Sequence, residues 1–218
     1  MPNRGAGVFF VPAMEKSVLQ RARAIIDAEA DALRNIPLDR NFERAVRILR
    51  ACRGKIITTG LGKAGIIAQK IAGTLCSNGT PAAFVHPGDA AHGDLGILNR
   101  NDVIIACSTS GKTREVIEML ELAHHFGVKH IIGITSHPDS AIRKLSTVVI
   151  NMGIIQEPCP LGLTPSASTT AMLALGDALS LVTMELKGFT RHQYGLRHHA
   201  GYLGQQARQT QLSAKKVK

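Results

Sequence analysis

The amino-acid sequence predicts an α/β protein with a five-stranded parallel sheet of order 2-1-3-4-5, covered by helices on both faces as a three-layer sandwich. Two observations lead there. Short apolar, β-branched segments alternate with longer segments of helical periodicity, an order that favours parallel pairing with right-handed crossovers. Segments rich in glycine and hydroxyl residues follow the first and third predicted strands, as at the switch point of a doubly wound sheet.

The alternation predicts each element in turn. Helices over 12–35 and 41–52 come first; strands follow at 55–59, 82–85, 102–107, 130–135 and 147–150, with helices at 63–77, 113–126 and 168–187. A chain of 218 residues can bury one sizeable core. We therefore expect a single domain over 1–218, with a helical N-terminal lead (12–52), an α/β core (53–188), and a C-terminal helix and basic tail (189–218).

Composition narrows the classes of function. The formal net charge of +10 suggests anionic partners. Many basic residues lie near the chain ends, where they are usually solvated, so we expect no nucleic-acid partner. None of the four cysteines forms a CxxC pair, a pattern that fits reduced thiols in the cytoplasm. No apolar run reaches about 18 residues, so we expect no membrane partner.

A glycine-rich segment follows the first predicted strand and opens a helix. Residues 60–65 read GLGKAG and match GxGxxG. A dinucleotide site also needs an acidic residue at the end of the second strand, where this chain has Val85 and His86, so an NAD site is disfavoured. A helix N-terminus still favours an anion through its free N–H groups and its dipole. Gly62 and Lys63 are therefore candidate anion-binding residues.

A second such segment, residues 108–113 (STSGKT), follows the third predicted strand. Its hydroxyls can donate to phosphate oxygens while backbone N–H groups fill the remaining positions. Ser110 could equally serve as the N-cap of the next helix. In a sheet of order 2-1-3-4-5 this segment and the first glycine-rich segment flank the switch point, which favours phosphate binding.

Further candidates lie between and after these segments. Residues 162–170 form a third hydroxyl-rich helix start, and N-capping needs only one of its hydroxyls. Acid–base candidates are His92 in the loop 86–94, Glu157 beside two prolines, and His198 near the C-terminus. Loops at one edge of a rigid sheet commonly carry function, which raises these residues above ordinary surface positions.

Together these segments resemble the sugar-isomerase domain family. The resemblance covers roughly residues 20–205, and the stretches HGDLG and CPLG are its most specific parts. It is most similar to the branch that acts on arabinose 5-phosphate. The matching stretches are GLGK at 60–63, HPG at 86–88, HGDLG at 92–96, STSG at 108–111, CPLGLTP at 159–165, STT at 168–170 and GDAL at 176–179.

The resemblance implies a flavodoxin-like strand order and a homo-oligomer, either a dimer or a tetramer. It implies an aldose–ketose isomerase that interconverts ribulose 5-phosphate and arabinose 5-phosphate for synthesis of Kdo, the eight-carbon acid sugar of lipopolysaccharide or capsule. The residues that it implies for phosphate or sugar binding are Ser108, Ser110, Thr113, Ser168 and Thr169.

Such an isomerisation needs no cofactor, because protons move within the substrate through a cis-enediol. We assign the carbon base to Glu157, and the oxygen-proton shuttle or ring opening to His198, with His92 as second choice. Lys63 would stabilise negative charge on the enediolate or the phosphate. The first two helices show no sheet partner in the sequence, so we expect them to form the oligomer interface, with the site between subunits.

Some features depart from the family pattern and leave alternatives open. Many relatives carry two cystathionine-synthase-type modules after this domain, which we expect to be absent here. Many have Glu where this chain has Lys112, and the residues around His198 also differ. An isomerase of a heptose or hexulose phosphate and a non-catalytic sugar-phosphate sensor are the alternatives. No metal is expected, because the spacing of His86, His92, His198 and His199 indicates no site.

Overall fold

Five strands form one parallel sheet in the order β2-β1-β3-β4-β5. The computed structural model describes residues 17–198 together with Tyr202, Gly204 and Gln206. Neighbouring strands pair in parallel throughout, so the predicted sheet and its order are confirmed. The strands are β1 (Ile56–Gly60), β2 (Ala82–Phe84), β3 (Val103–Cys107), β4 (His130–Thr135) and β5 (Val148–Asn151).

Helices connect and flank these strands. The predicted helix over 12–35 begins at Val18, and positions 12–16 lie outside the described residues, as does most of the predicted basic tail. One four-residue helix, one five-residue helix and a 3-10 helix were not predicted, because such short segments show no helical period. The helices are α1 (Val18–Arg34), α2 (Arg40–Ala51), α3 (Gly62–Ser77), α4 (Pro87–Ala90), α5 (Arg114–His125), α6 (Ala141–Leu145), α7 (Ala167–Leu186) and α8 (Arg191–Arg197), with the 3-10 helix at Asp94–Ile97.

Two hydrophobic cores lie on the two faces of the sheet. On the first face, α2, α3 and α7 contribute side chains such as Leu49, Ile71 and Leu175. On the second face, α5 and α6 contribute side chains such as Leu120 and Ile142. The predicted three-layer arrangement is therefore confirmed.

The central strands are buried along their whole length. Every residue of β1 and β3 is buried, and neighbouring residues face different cores: Ile56 lies in the first and Ile57 in the second. Helices on both faces of a parallel sheet require apolar side chains on both faces of each strand. The strands therefore stand out in the sequence as short continuous apolar runs.

The two helices before the sheet pack differently. The expectation that α2 lacks a sheet partner is wrong, because Ala45, Val46 and Leu49 are buried in the first core. Its twelve residues include four arginines, which hide the narrow apolar face in the sequence. In contrast, α1 has no buried residue, and its apolar side chains Val18 and Leu19 are 71% and 81% exposed.

Among the described residues, α7 is the one helix long and apolar enough, by length and composition, to cross a membrane; half of its most apolar window is buried. It corresponds to the helix predicted over 168–187. In this fold α7 is a core helix, with Met172 and Leu179 packed in the first core. Its close contact with α3 requires Gly176, since a Cβ there would lie 2.4 Å from the Ile71 side chain.

Candidate active site

The carboxyl ends of three neighbouring strands lie level with one another. Gly60 of β1 pairs with Cys107 of β3, which pairs with Ile134 of β4. The segments that follow these residues form what we call the carboxyl edge. After β1 the chain enters α3 on the first face, and after β3 it enters α5 on the second. The resulting opening between β1 and β3 is where open α/β sheets bind ligands.

The segment after β1 presents the positive end of a helix without a negative partner. α3 begins at Gly62, whose φ of +59° is left-handed, and it has neither an acidic residue in its first turn nor a side-chain cap. Lys63 is exposed and makes no hydrogen bond or ion pair with any described residue. A cation beside a helix N-terminus favours the arrival of an anion.

The segment after β3 has hydroxyl hydrogens that its own hydrogen bonds do not use. Ser108 Oγ accepts from Gly111 N at 3.1 Å and lies 2.9 Å from Thr113 Oγ1. Ser110 Oγ accepts from Lys112 N at 3.2 Å. The contact between Ser108 and Thr113 uses one of two hydroxyl hydrogens, so the other, and the hydrogen of Ser110, can be donated to an anion.

The turn of this hydroxyl loop, residues 108–113, depends on its glycine. Gly111 has a φ of +63°, and a Cβ there would lie 1.8 Å from Ser140 Oγ. Ser110 is not the N-cap of α5, a point that the sequence left open, because Thr113 occupies that position without a side-chain cap bond. The loop is thus a turn in its own right that precedes the helix.

Glu157 caps the start of α7 with both carboxylate oxygens. Oε2 accepts from Ser166 N at 2.8 Å and from Ala167 N at 2.9 Å, and Oε1 accepts from Ser168 N at 3.3 Å. A negative carboxylate at the positive end of a helix is favourable. The sequence singled out Glu157 but gave it no capping role.

Most hydroxyls at the start of α7 are already engaged. Ser166 Oγ donates to Glu29 Oε1 at 2.7 Å, and Thr170 Oγ1 donates to Glu29 Oε2 at 3.0 Å. Thr169 Oγ1 donates to Ser166 O at 2.8 Å. Ser168 Oγ is buried and has no partner among the described residues. Of the two predicted ligand residues here, Ser168 keeps its hydroxyl free, whereas Thr169 uses its hydrogen within the helix.

Three residues at or beside this edge were not predicted. Thr59 in β1 and Ser136 after β4 have buried hydroxyls that find no partner in the described part of the chain. Ser136 repeats the signal seen after β3, a hydroxyl just past a buried strand, and the same rule applied to the fourth strand would have found it. Glu29 lies 137 residues before its partner Ser166, and nothing in its local sequence marks it.

His198 does not lie beside Glu157 of the same chain. Glu157 caps the start of α7, whose 20 residues span about 30 Å at 1.5 Å per residue, and α8 follows the other end of α7. Arg197 lies over the Phe189 ring, 5.1 Å from its centroid. That ring packs against Gly79, which lies just past the C-terminal end of α3, whereas Gly62 begins this helix at the carboxyl edge. His198 is therefore near the opposite edge of the sheet.

The ring of His198 is held by Tyr194. Its Nδ1 lies 3.0 Å from Tyr194 O, so Nδ1 carries the proton and Nε2 is left as an acceptor. The two rings stack with centroids 3.9 Å apart. His92 is exposed on the loop between α4 and the 3-10 helix, where its backbone N–H donates to Asp89 O at 2.9 Å. Within the described residues, no three His, Cys, Asp or Glu side chains are grouped as in a metal site.

A doubly wound sheet with a free helix N-terminus and a hydroxyl loop at its switch point defines the class of open α/β proteins, which bind ligands at that point. The chain belongs to the SIS domain family, whose model matches residues 48–182. The matched segment runs from α2 into α7 and contains all five strands.

Named relatives are similar to most of this chain. Over 188 residues the chain is 39% identical to arabinose 5-phosphate isomerase KdsD of Pseudomonas aeruginosa. The aligned residues are 85% of this chain and 57% of that relative. Over 170 residues it is 44% identical to the protein of the same name from Francisella tularensis. Here the aligned residues are 77% of this chain and 52% of the relative. The chain thus spans about half the length of these relatives.

Two solved structures extend the comparison. A candidate phosphosugar isomerase involved in capsule formation, from Bacteroides fragilis, superposes with a TM-score of 0.82 at 43% identity and covers 85% of this chain and all of that one. A protein of Escherichia coli CFT073 in complex with arabinose 5-phosphate superposes with a TM-score of 0.78 at 37% identity, over 83% of this chain and 96% of that one.

Cys159 lies two residues after Glu157 in a turn that favours its thiolate. Its Sγ accepts from Thr164 N at 3.2 Å and from Leu163 N at 3.3 Å. Hydrogen bonds from Thr164 and then Leu163 lower the pKa of the thiol to about 7. Burial instead raises the pKa of Cys107 to about 12. The two thiols should therefore differ sharply in reactivity.

We expect iodoacetamide to alkylate Cys159 at a rate that rises as the pH rises through about 7 and levels off above about 8, because only the thiolate reacts. Cys107 should stay unmodified while the protein is folded. Peptide mapping by mass spectrometry follows each thiol separately, and Cys159→Ser should remove the fast reaction. A rate for Cys159 that still climbs steeply above about pH 9 would contradict the assignment.

Proposed function

We propose that this chain is an aldose–ketose isomerase that interconverts ribulose 5-phosphate and arabinose 5-phosphate through a cis-enediol, in the synthesis of Kdo for lipopolysaccharide or capsule. Membership of the SIS family and relatives named arabinose 5-phosphate isomerase support this reaction. A structural neighbour that binds arabinose 5-phosphate supports the substrate. The chemistry moves two protons within the substrate and needs no cofactor.

The hydroxyl loop is the observation that carries the proposal. Ser108, Ser110 and Thr113 together keep two hydroxyl hydrogens for an anion, and the loop lies beside the free N-terminus of α3. In this role they bind the phosphate together with backbone N–H groups near Gly62. Hydroxyls and N–H groups suit a phosphate monoester at a switch point, where strong fixed charge is not required.

The sugar then extends toward the start of α7. The unpartnered hydroxyl of Ser168 is available there, and Thr169 can accept a hydrogen bond although its own hydrogen is used. Lys63 stabilises negative charge on the enediolate oxygen or the phosphate. An exposed lysine without a partner suits this role, because binding displaces only water from it.

Glu157 is the proposed carbon base. Two short backbone N–H bonds anchor Oε2, whereas Oε1 has a single longer one from Ser168. Each carboxylate oxygen can accept two hydrogen bonds, so Oε1 retains a lone pair for the proton of the substrate carbon. The anchored oxygen fixes the direction of the free one, which is the positioning that general-base catalysis requires.

His198 is proposed to act in the site of a second copy of the chain. It lies near the opposite edge from Glu157 of its own chain, so a shared site needs a neighbouring subunit. The exposed apolar side chains of α1, such as Val18, Leu19 and Ile26, supply a surface for that contact. We propose a homo-oligomer, a dimer or tetramer, with His92 as the alternative proton shuttle. Four free cysteines fit a cytoplasmic setting.

Solvent exchange tests the reaction and its base together. In deuterated water with no added cofactor, the wild-type protein should place deuterium on the carbon next to the carbonyl of ribulose 5-phosphate, as followed by NMR. Glu157→Gln should lower kcat by at least about 100-fold and abolish this exchange. A wild type that exchanges no pentose, hexose or heptose phosphate would make it a sensor without turnover.

The Gln variant needs a control, because its amide would turn a donor toward the N–H groups that Glu157 accepts. Glu29→Gln is that control: the hydroxyls of Ser166 and Thr170 can rotate to suit an amide, so activity should be retained. Circular dichroism should report both variants as folded. Exchange at the wild-type rate in folded Glu157→Gln would make Glu157 purely structural and move the base to His92 or His198.

Ser110→Ala tests the phosphate site. Loss of one hydrogen bond to a charged group should raise KM about tenfold or more and leave kcat nearly unchanged. Thr74→Ala, which removes an exposed hydroxyl on α3, is the matched control and should leave both constants unchanged. Steady-state kinetics with each pentose phosphate provide the measurement. An unaltered KM in Ser110→Ala would remove the loop from the site.

Subunit mixing tests the shared site. Glu157→Gln and His198→Asn should each be nearly inactive alone. After the two variants are refolded together, about a quarter of the sites should combine an intact Glu157 with an intact His198 and regain activity, if each site draws the two residues from different copies. If both residues act within one chain, mixing restores nothing, and that result would exclude the shared site.

A further inference from the structure

A cavity of about 780 Å³ lies at the edge of the sheet opposite the candidate active site. Its walls come from the residues just before β1, β3, β4 and β5 and from the second half of α2. We call it the amino-edge cavity. Its lining residues are Arg44, Arg47, Ile48, Ala51, Cys52, Arg53, Arg100, Asn101, Val103, Lys129, His130 and Thr147.

The lining is strongly basic. Four arginines and one lysine face the cavity, and none of the lining residues is acidic. The side chains of Arg53, Arg100 and Lys129 make no hydrogen bond or ion pair with any described residue. Arg47 has one long ion pair, 3.8 Å to the exposed Glu43. Positive charges held together without counter-charges favour an anionic ligand.

The nearest buried carboxylate cannot neutralise them. Asp102 is 2% exposed, and it accepts from Lys55 Nζ at 2.6 Å, from Lys55 N at 2.9 Å and from Asn99 N at 2.8 Å. It is thus fully committed to Lys55 and the loop before β3. The charges of Arg53, Arg100 and Lys129 therefore stay uncompensated by the described residues.

Stabilisation of a helix end accounts for only part of this cluster. Cations near the last turn of α2 are favourable to its dipole, which explains Arg53. Arg100 and Lys129 lie on the loops before β3 and β4, outside any last helical turn. Cations from separate segments thus face one cavity, which suits an anion with several negative charges. A single phosphate would need fewer cations than the five that line the cavity.

The cavity also offers an apolar wall and polar groups. Ile48, Ala51 and Val103 line one part of it, and Asn101 and Thr147 line another. Its volume is within the range of small-molecule sites. We propose that the amino-edge cavity binds a nucleoside diphosphate or a phosphate ester of the same character. The phosphates would contact Arg53, Arg100 and Lys129, and the ring would contact the apolar wall.

Calorimetric titration at low salt tests this with ADP, pyrophosphate and adenosine as probes. ADP should bind most tightly, pyrophosphate more weakly and adenosine least, and the affinity for ADP should fall as salt is added, because exposed charges are screened. Pyrophosphate that binds as tightly as ADP would refute the role of the apolar wall. Tighter binding of duplex DNA, with several chains per duplex, would refute a small-molecule site.

Charge-matched variants locate the site. Arg53→Gln with Arg100→Gln should weaken ADP binding about tenfold or more. Arg23→Gln with Arg34→Gln removes the same charge on α1, which contributes no lining residue, and should leave binding unchanged. If both double variants lose the same affinity for ADP, net charge alone would account for the binding. Saturating arabinose 5-phosphate should not displace ADP; displacement would place ADP at the carboxyl edge and overturn the proposal, whatever the outcome of the isomerase assay.

Discussion

The capping of α7 by Glu157 is the constraint on which the candidate site depends. Three N–H groups of one helix start meet one carboxylate, and α7 provides no acidic residue of its own in its first turn. The segment that leaves β5 is thereby fixed to the longest helix of the described fold. Glu29 adds α1 to the same point through Ser166 and Thr170. Two carboxylates from distant parts of the chain thus hold one helix N-terminus.

The proposed role as carbon base gives Glu157 a second task, which competes with capping. A carboxylate that accepts three N–H groups is well positioned, but each bond to it also stabilises the charge that a base must give up when it takes a proton. The uneven geometry separates the tasks, since Oε2 has the short bonds and Oε1 the long one. Structural anchoring and proton transfer can therefore use different oxygens of the same side chain.

The sequence predicted the sheet well because burial on both faces leaves continuous apolar runs, and it predicted the hydroxyl loop because that signal is local. It predicted less about contacts between residues that lie far apart in the chain. Glu29 contacts a residue far along the chain, and the burial of α2 is hidden by its arginines. The position of His198 depends on the length of α7 and on the packing of Phe189 against Gly79, which no motif records.

The hydroxyl loop is held from outside by the segment after β4. Thr109 O accepts from Ser136 N and Thr135 Oγ1, both at 3.0 Å, and Gly111 O accepts from Ile142 N at 3.0 Å. A Cβ at position 111 would lie 2.9 Å from the Cβ of Ser140 as well as against its hydroxyl. Shortening residue 140 to alanine would therefore not admit a side chain at 111. Variation in this loop is therefore confined to exposed positions such as Lys112, whose side chain can change while the backbone stays the same.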